Sequence, residues 1–142
     1  MATIWTCGHS NKGGDEFAAL VVSAEVGTIV DVRSVPYSRH NPQFNRETLA
    51  ATLEAAEVYY EWRGENLGGI RRNVDYAETI RELVARAERG ERIAVMCSEG
   101  SSARCHRGST LTPSFLQAGA DVAHIEWSGK IVLVEHAAYK LF

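Results

Sequence analysis

Two cysteines bracket the stretch of this chain richest in reactive side chains, MCSEGSSARCHRG at 96–108. Cys97 ends an apolar run, Cys105 closes the polar loop that follows, and His106 and Arg107 come directly after it. A thiol at a loop-to-helix start feels the helix dipole, and neighbouring positive charge adds to it; both favour the nucleophilic thiolate. That argument favours Cys105 as the reactive thiol. The alternative makes Cys97 the nucleophile, cradled by the amides of the loop, with Cys105 as its resolving or redox partner. Cys97 also fits a plain role as a small hydrophobe at the end of a buried strand. Glu99, at the loop entrance, is the first candidate for acid–base work, with His9 and His106 as the others. A lone loop histidine is more often exposed or capping.

The same residues test a metal reading, because Cys7, His9, Cys97, Cys105 and His106 all fall near strand ends. Structural zinc uses ligand pairs two to four residues apart. Seven residues separate Cys97 from Cys105, and the adjacent Cys105 and His106 point their side chains apart. No metal site and no cofactor are therefore assigned, zinc or iron at these residues being the weaker alternative.

Arg33, Arg39, Arg46, Arg71, Arg72, Arg104 and Arg107 lie in or beside loops that follow strands, although the formal net charge is −3. An acidic chain does not hold nucleic acid or an anionic membrane by bulk charge. A local cluster is different, because the planar guanidinium fork suits phosphate and carboxylate. Glycines in CGHSNKGG, NLGG and EGSS let backbone amides approach an anion as well. Solvated loop charges are the ordinary alternative. The chain contains neither G-x-x-x-x-G-K-[ST] nor G-x-G-x-x-G, which argues against an ATPase or a Rossmann dehydrogenase. Asp31, inside an apolar run, must be paired or hydrogen-bonded if buried, and a structural link to a neighbouring loop is its plain reading.

These residues need elements to position them. Apolar and β-branched runs predict strands at 2–7, 28–33, 58–62 and 92–97, with DVAHIEW and KIVLVE as two more either side of the turn SG. Phe17, Leu20, Val21 and Ala24 predict a helix over 15–24. Asn45 caps a second helix over 46–56 with Leu49, Leu53 and Ala56 inward, and a long amphipathic helix spans 74–89. A further helix runs from about 106 to 117, with Pro113 kinking it or ending its first segment. SVPYSRHNPQF and RGENLGGIRRN read as loops. The run at 92–97 is the most apolar, which predicts a central strand. This alternation implies a three-layer α/β/α fold with a mainly parallel sheet of about five or six strands. In such sheets ligands bind outside the carboxyl ends of the strands, where CGHS, DVRS, NLGG and MCSEG all fall.

With 142 residues, 45% of them hydrophobic, the chain suits one domain over 1–142 without disulfide staples. Three cysteines are expected to be reduced thiols. No apolar run approaches the roughly 18 residues of a bilayer span, and the start lacks the regions of a signal peptide, so the expected location is cytoplasmic with no membrane partner.

The blocks also carry a resemblance. TCGHSN resembles a T-I-G-H-S-N start, and DVRSVPYSRHNPQFN resembles a D-V-R-S-x-P-x-S-R-x-x-P-Q-F block. LGG follows the third strand, and MCSEGSSARCHRG is similar to an M-C-A-E block ending in C-H-R. Together they resemble the bacterial and archaeal family called domain of unknown function 488, over nearly the full length. The departures are Cys7 in place of an aliphatic residue, the GSS loop and Pro113. The resemblance implies an α/β fold with a shared polar pocket, and it supplies no activity. Carried onto this sequence, it adds Gly8, Ser10, Ser34, Gln43, Gly68 and Gly69 to Asp31, Arg33, Arg39 and Arg107 as ligand-binding candidates. A second similarity, to rhodanese-like sulfurtransferases, rests on the order of IVDVRS and IAVMCSEGSSAR. It fails to extend to a phosphatase-type C-x5-R loop, since position 103 is alanine.

The function expected is an enzyme whose strand-end pocket binds a small anionic ligand, nucleotide-like or derived from nucleic acid, and uses thiol or acid–base chemistry. A cysteine-dependent transferase or hydrolase fits, and rhodanese-like sulfur transfer is one alternative. The other is a non-catalytic module that binds a ligand or senses redox state or metal. Reaction type and oligomeric state are left open.

Overall fold

A computed structural model of the chain describes residues 2–68, 73–98 and 110–136. In chain order the elements are β1 (Thr3–Gly8), α1 (Gly14–Ser23), β2 (Thr28–Asp31), a 3-10 turn (Pro42–Phe44), α2 (Arg46–Ala55), β3 (Tyr59–Trp62), α3 (Gly64–Leu67), α4 (Tyr76–Glu88), β4 (Ile93–Cys97), α5 (Thr112–Gln117), β5 (Asp121–Ile125) and β6 (Ile131–Val134). The strands form one six-stranded sheet in the order β3-β2-β4-β1-β5-β6. All pairings are parallel except β5 with β6, a hairpin whose turn places Gly129 at φ 89°, in the left-handed region glycine favours. The expected α/β architecture is thus the one the chain adopts.

Side-chain alternation splits the apolar residues into two cores. On one face Ile4, Val30, Ile93, Val95, Cys97 and Val122 pack beneath Leu83 and Val84 of α4 and Phe115 and Leu116 of α5. On the other, Cys7, Ile29, Ala94 and Met96 pack beneath Phe17 and Val21 of α1, Phe44, and Leu49 and Leu53 of α2. β4 is buried along its whole length and lies inside the sheet, as its composition predicts.

Two local expectations change, for RGENLGGIRRN and for Asn45. Part of RGENLGGIRRN is helical: α3 is one turn, closed by the Leu67 amide on the Arg63 carbonyl and the Gly68 amide on the Gly64 carbonyl. Pro113 lies where a π-helical turn at Thr110 and Leu111 gives way to the α-helical α5, a change of helix type at the position expected to interrupt it. The expected start of that helix, 106–109, lies outside the described residues. Asn45 does occupy the N-cap position of α2, but its Oδ1 accepts from the Ser38 amide instead of a helix amide.

Candidate functional site

The carboxyl edge of the sheet gathers Gly8, His9 and Ser10 after β1, Asp31 to Ser34 at the end of β2, and Cys97 and Ser98 at the end of β4. The backbone keeps them together beyond the strands proper. The Val32 amide donates to the Met96 carbonyl at 3.0 Å, the His9 amide to the Cys97 carbonyl at 3.1 Å, and the Ser10 amide to the Ser98 carbonyl at 2.9 Å. Ser10 holds a left-handed backbone at φ 51°, a conformation that costs a non-glycine residue free energy and clusters at functional sites.

Asp31 and Arg33 point to the α1/α2 face and are committed to each other. Arg33 Nε donates to Asp31 Oδ1 at 2.9 Å and its Nη2 to Oδ2 at 2.7 Å, while Nη2 also reaches the Phe44 carbonyl at 2.8 Å. The Tyr60 hydroxyl donates to Oδ2 at 2.6 Å, and burial together with the Asp31 charge raises the Tyr60 pKa. The ion pair is dry, with side-chain exposures of 7% for Arg33 and 0% for Asp31. It fastens the β2 exit to the 3-10 turn, as the plain reading of Asp31 requires, and occupies much of the fork expected to bind an anion.

His9 is 2% exposed and stacks on Phe44, with ring centroids 4.3 Å apart. Its Nδ1 lies 2.6 Å from the Ser10 carbonyl. A carbonyl only accepts, so Nδ1 carries the proton and Nε2 bears the lone pair. Burial is the main reason that the His9 pKa falls to about 4; the nearby Arg33 charge lowers it too, against the opposing pull of the Ser10 hydrogen bond and Asp31. The ring is therefore neutral at physiological pH, and no described residue hydrogen-bonds Nε2.

Other expected ligand groups have internal partners. Gln43 Nε2 donates to the Lys12 carbonyl at 2.7 Å, tying the 3-10 turn to the loop after β1. Gly68 lies so close to Ser34 Oγ and the Gly64 carbonyl that a Cβ there would overlap both. The Gly8 carbonyl accepts from Trp127 Nε1 at 2.8 Å. Arg39 is exposed, on a shallow depression of about 410 Å³ lined also by Tyr37, Ser38, Pro42 and Asn45.

Cys97 lies 6% exposed in the α4/α5 core and is disulfide-bonded, whereas Cys7 is buried and stands outside any disulfide. The reduced state expected of the cysteines does not hold for Cys97. Glu99, Cys105, His106, Arg107 and Gly69 lie outside the described residues. Among the described residues no cluster of His, Cys, Asp and Glu side chains is arranged to hold a metal, and no helix is long and apolar enough to cross a membrane.

Sequence reasoning missed Tyr60, Trp62 and Trp127. Trp62 Nε1 donates to the Arg33 carbonyl at 2.8 Å, beside the Tyr60 contact to Asp31. Their two-residue spacing in YYEW places Tyr60 and Trp62 on one face of β3, next to Ile29 and Asp31 of β2, which was the available signal.

The fold and this edge define a mostly parallel α/β protein whose strand-end loops are locked by a buried ion pair. Residues 14–77 match the family model described as Domain of unknown function DUF488. The match includes the DVRS block and NLGG and does not extend to CGHS or MCSEG. No curated protein matches the chain.

Proposed function

We propose that the carboxyl edge is the active site of a small cytoplasmic enzyme that acts on an anionic, nucleotide-like ligand, with His9 Nε2 as the proton acceptor. The carrying observation is the buried, neutral imidazole whose tautomer is fixed by Ser10 and whose Nε2 has no described partner. Leaving such an acceptor unsatisfied costs about 1–3 kcal/mol, so native structures rarely keep one without a use. A ligand O–H or N–H satisfies it and, once polarised, gives up its proton there. Exposed Arg39, on the loop after β2, is proposed as one cation for the ligand, and Arg107 of the C-H-R block as its companion. The test is the side-chain 15N spectrum of His9 during titration with adenosine monophosphate or inorganic phosphate. The Nε2 resonance is expected to move with the nucleotide and to stop moving in Arg39→Ala; a resonance unmoved by either compound overturns the reading.

A second reading, redox sensing through the cysteines, is favoured by the disulfide at Cys97. It predicts that Cys97 takes up iodoacetamide only after reduction and that reduction alters stability or ligand uptake. Full alkylation of Cys97 without reductant counts against it.

A further inference from the structure

Among the described residues β6 ends the sheet and pairs only with β5. Its phase is fixed by the Glu126 amide, which donates to the Lys130 carbonyl at 2.9 Å across the turn. Hydrogen-bonded pairs alternate along an antiparallel ladder, so with the register His124↔Val132 and Val122↔Val134, Val132 and Val134 turn their amides and carbonyls toward β5. Ile131 and Leu133 turn theirs outward, where no described residue meets them. The strand itself is IVLV, with Ile131 44%, Val132 36% and Leu133 53% exposed. Within the strand there is no proline, no bulge and no charge of the kind that protects a free edge.

The geometry points to a second copy of this chain pairing with itself along β6, antiparallel about a two-fold axis at Val132, to join the two sheets into one. An isologous joint of this kind must be self-complementary, and this register is. Ile131 stands opposite the partner's Leu133, and the outward amide and carbonyl of each meet those of the other. Val132 faces the partner's Val132 across a pair without hydrogen bonds. Lys130 faces the partner's Val134 and Glu135 the partner's Gly129, so no like charges are opposed. A slip by one residue puts outward groups against inward ones. A slip by two sets Glu135 against the partner's Ile131 in one direction, and in the other runs Leu133 past the strand onto the partner's Gly129 in the turn. The α1 face adds a place for the incoming side chain: a cleft of about 290 Å³ lies beside Ile131, lined by Trp5, Leu20, Ala24 and Ile125 together with Ser23 and Glu25. The partner's Leu133 arrives next to it. The joint is short, so the dimer is concentration-dependent.

Sedimentation velocity of the full chain, from low micromolar to near-millimolar concentration, is expected to show a monomer–dimer equilibrium. Leu133→Lys, at a side chain that is half exposed, should leave the circular dichroism spectrum and melting temperature unchanged and shift the equilibrium at least tenfold toward monomer. Val132→Cys reads the register directly, because Cα atoms in a pair without hydrogen bonds lie about 4.5 Å apart, within the span of a disulfide. It should form a covalent dimer on mild oxidation well above the wild-type background, while Lys130→Cys should not. A monomer throughout the range, an unaffected dimer in Leu133→Lys, or no crosslink in Val132→Cys each overturns the proposal.

Discussion

The His9 amide donates to the Cys97 carbonyl at 3.1 Å, yet the two side chains leave for opposite faces of the sheet. His9 stacks on Phe44 in the α1/α2 core, and Cys97 packs with Val95 and Phe115 in the α4/α5 core. An imidazole so placed cannot take the Cys97 proton through direct contact. After reduction, the rate of Cys97 alkylation against pH should therefore be the same in His9→Gln as in the parent. A displacement of that profile by about one pH unit, equivalent to about 1.4 kcal/mol of coupling, would show that the two groups communicate.

His9 makes acid tolerance a second test. Its pKa falls from 6.5 to about 4 on folding, so between these values the unfolded chain binds a proton that the native chain does not. Stability then rises with pH across that window. The contribution is complete above pH 6.5 and is progressively lost as pH falls toward 4, reaching roughly 3 kcal/mol. Urea midpoints measured at pH 7.5 and pH 4.5 should differ clearly in the parent and much less in His9→Gln. Equal differences in both proteins would mean that other groups set the acid limb.

Asp31→Asn should cost about 3 kcal/mol in urea unfolding, because it strands a buried guanidinium while leaving the Phe44 carbonyl as its partner. Adding Arg33→Met removes the stranded charge and should recover part of the loss, a non-additivity expected of groups in one network. If Asp31→Asn unfolds at the parent's urea concentration, the pair is not what locks the β2 exit.

The sheet was legible because β4 is continuously apolar and because the α1, α2 and α4 stripes keep helical spacing, so both cores follow from periodicity alone. The site was legible only as a place. DVRS locates Arg33 at a strand end, but whether its fork faces a ligand or Asp31 depends on side-chain direction, and Phe44, whose carbonyl takes Nη2, is eleven residues away. His9 shows the same limit in reverse. Its place in CGHS makes it an acid–base candidate, but its lowered pKa comes from burial under Phe44, a contact between residues far apart in the chain. α3 was hidden because glycines in RGENLGG weaken helix propensity, while one closed turn needs only four residues and a place to pack.

Those glycines give the last prediction. Gly64 sits against the Arg33 carbonyl and the Trp62 indole, and Gly68 against Ser34 Oγ and the Gly64 carbonyl. NLGG thus includes a close approach between the loop after β3 and the exit of β2, rather than only amides offered to an anion. Gly68→Ala should lower stability by about 1–3 kcal/mol through overpacking. Ser34→Ala in the same chain should relieve only part of this, because the hydroxyl can be removed but the Gly64 carbonyl stays. Thermal unfolding of the two single variants and the double variant measures the split. A Gly68→Ala protein as stable as the parent would mean that the loop shifts freely, and the glycine would then be available for the ligand role first considered for it.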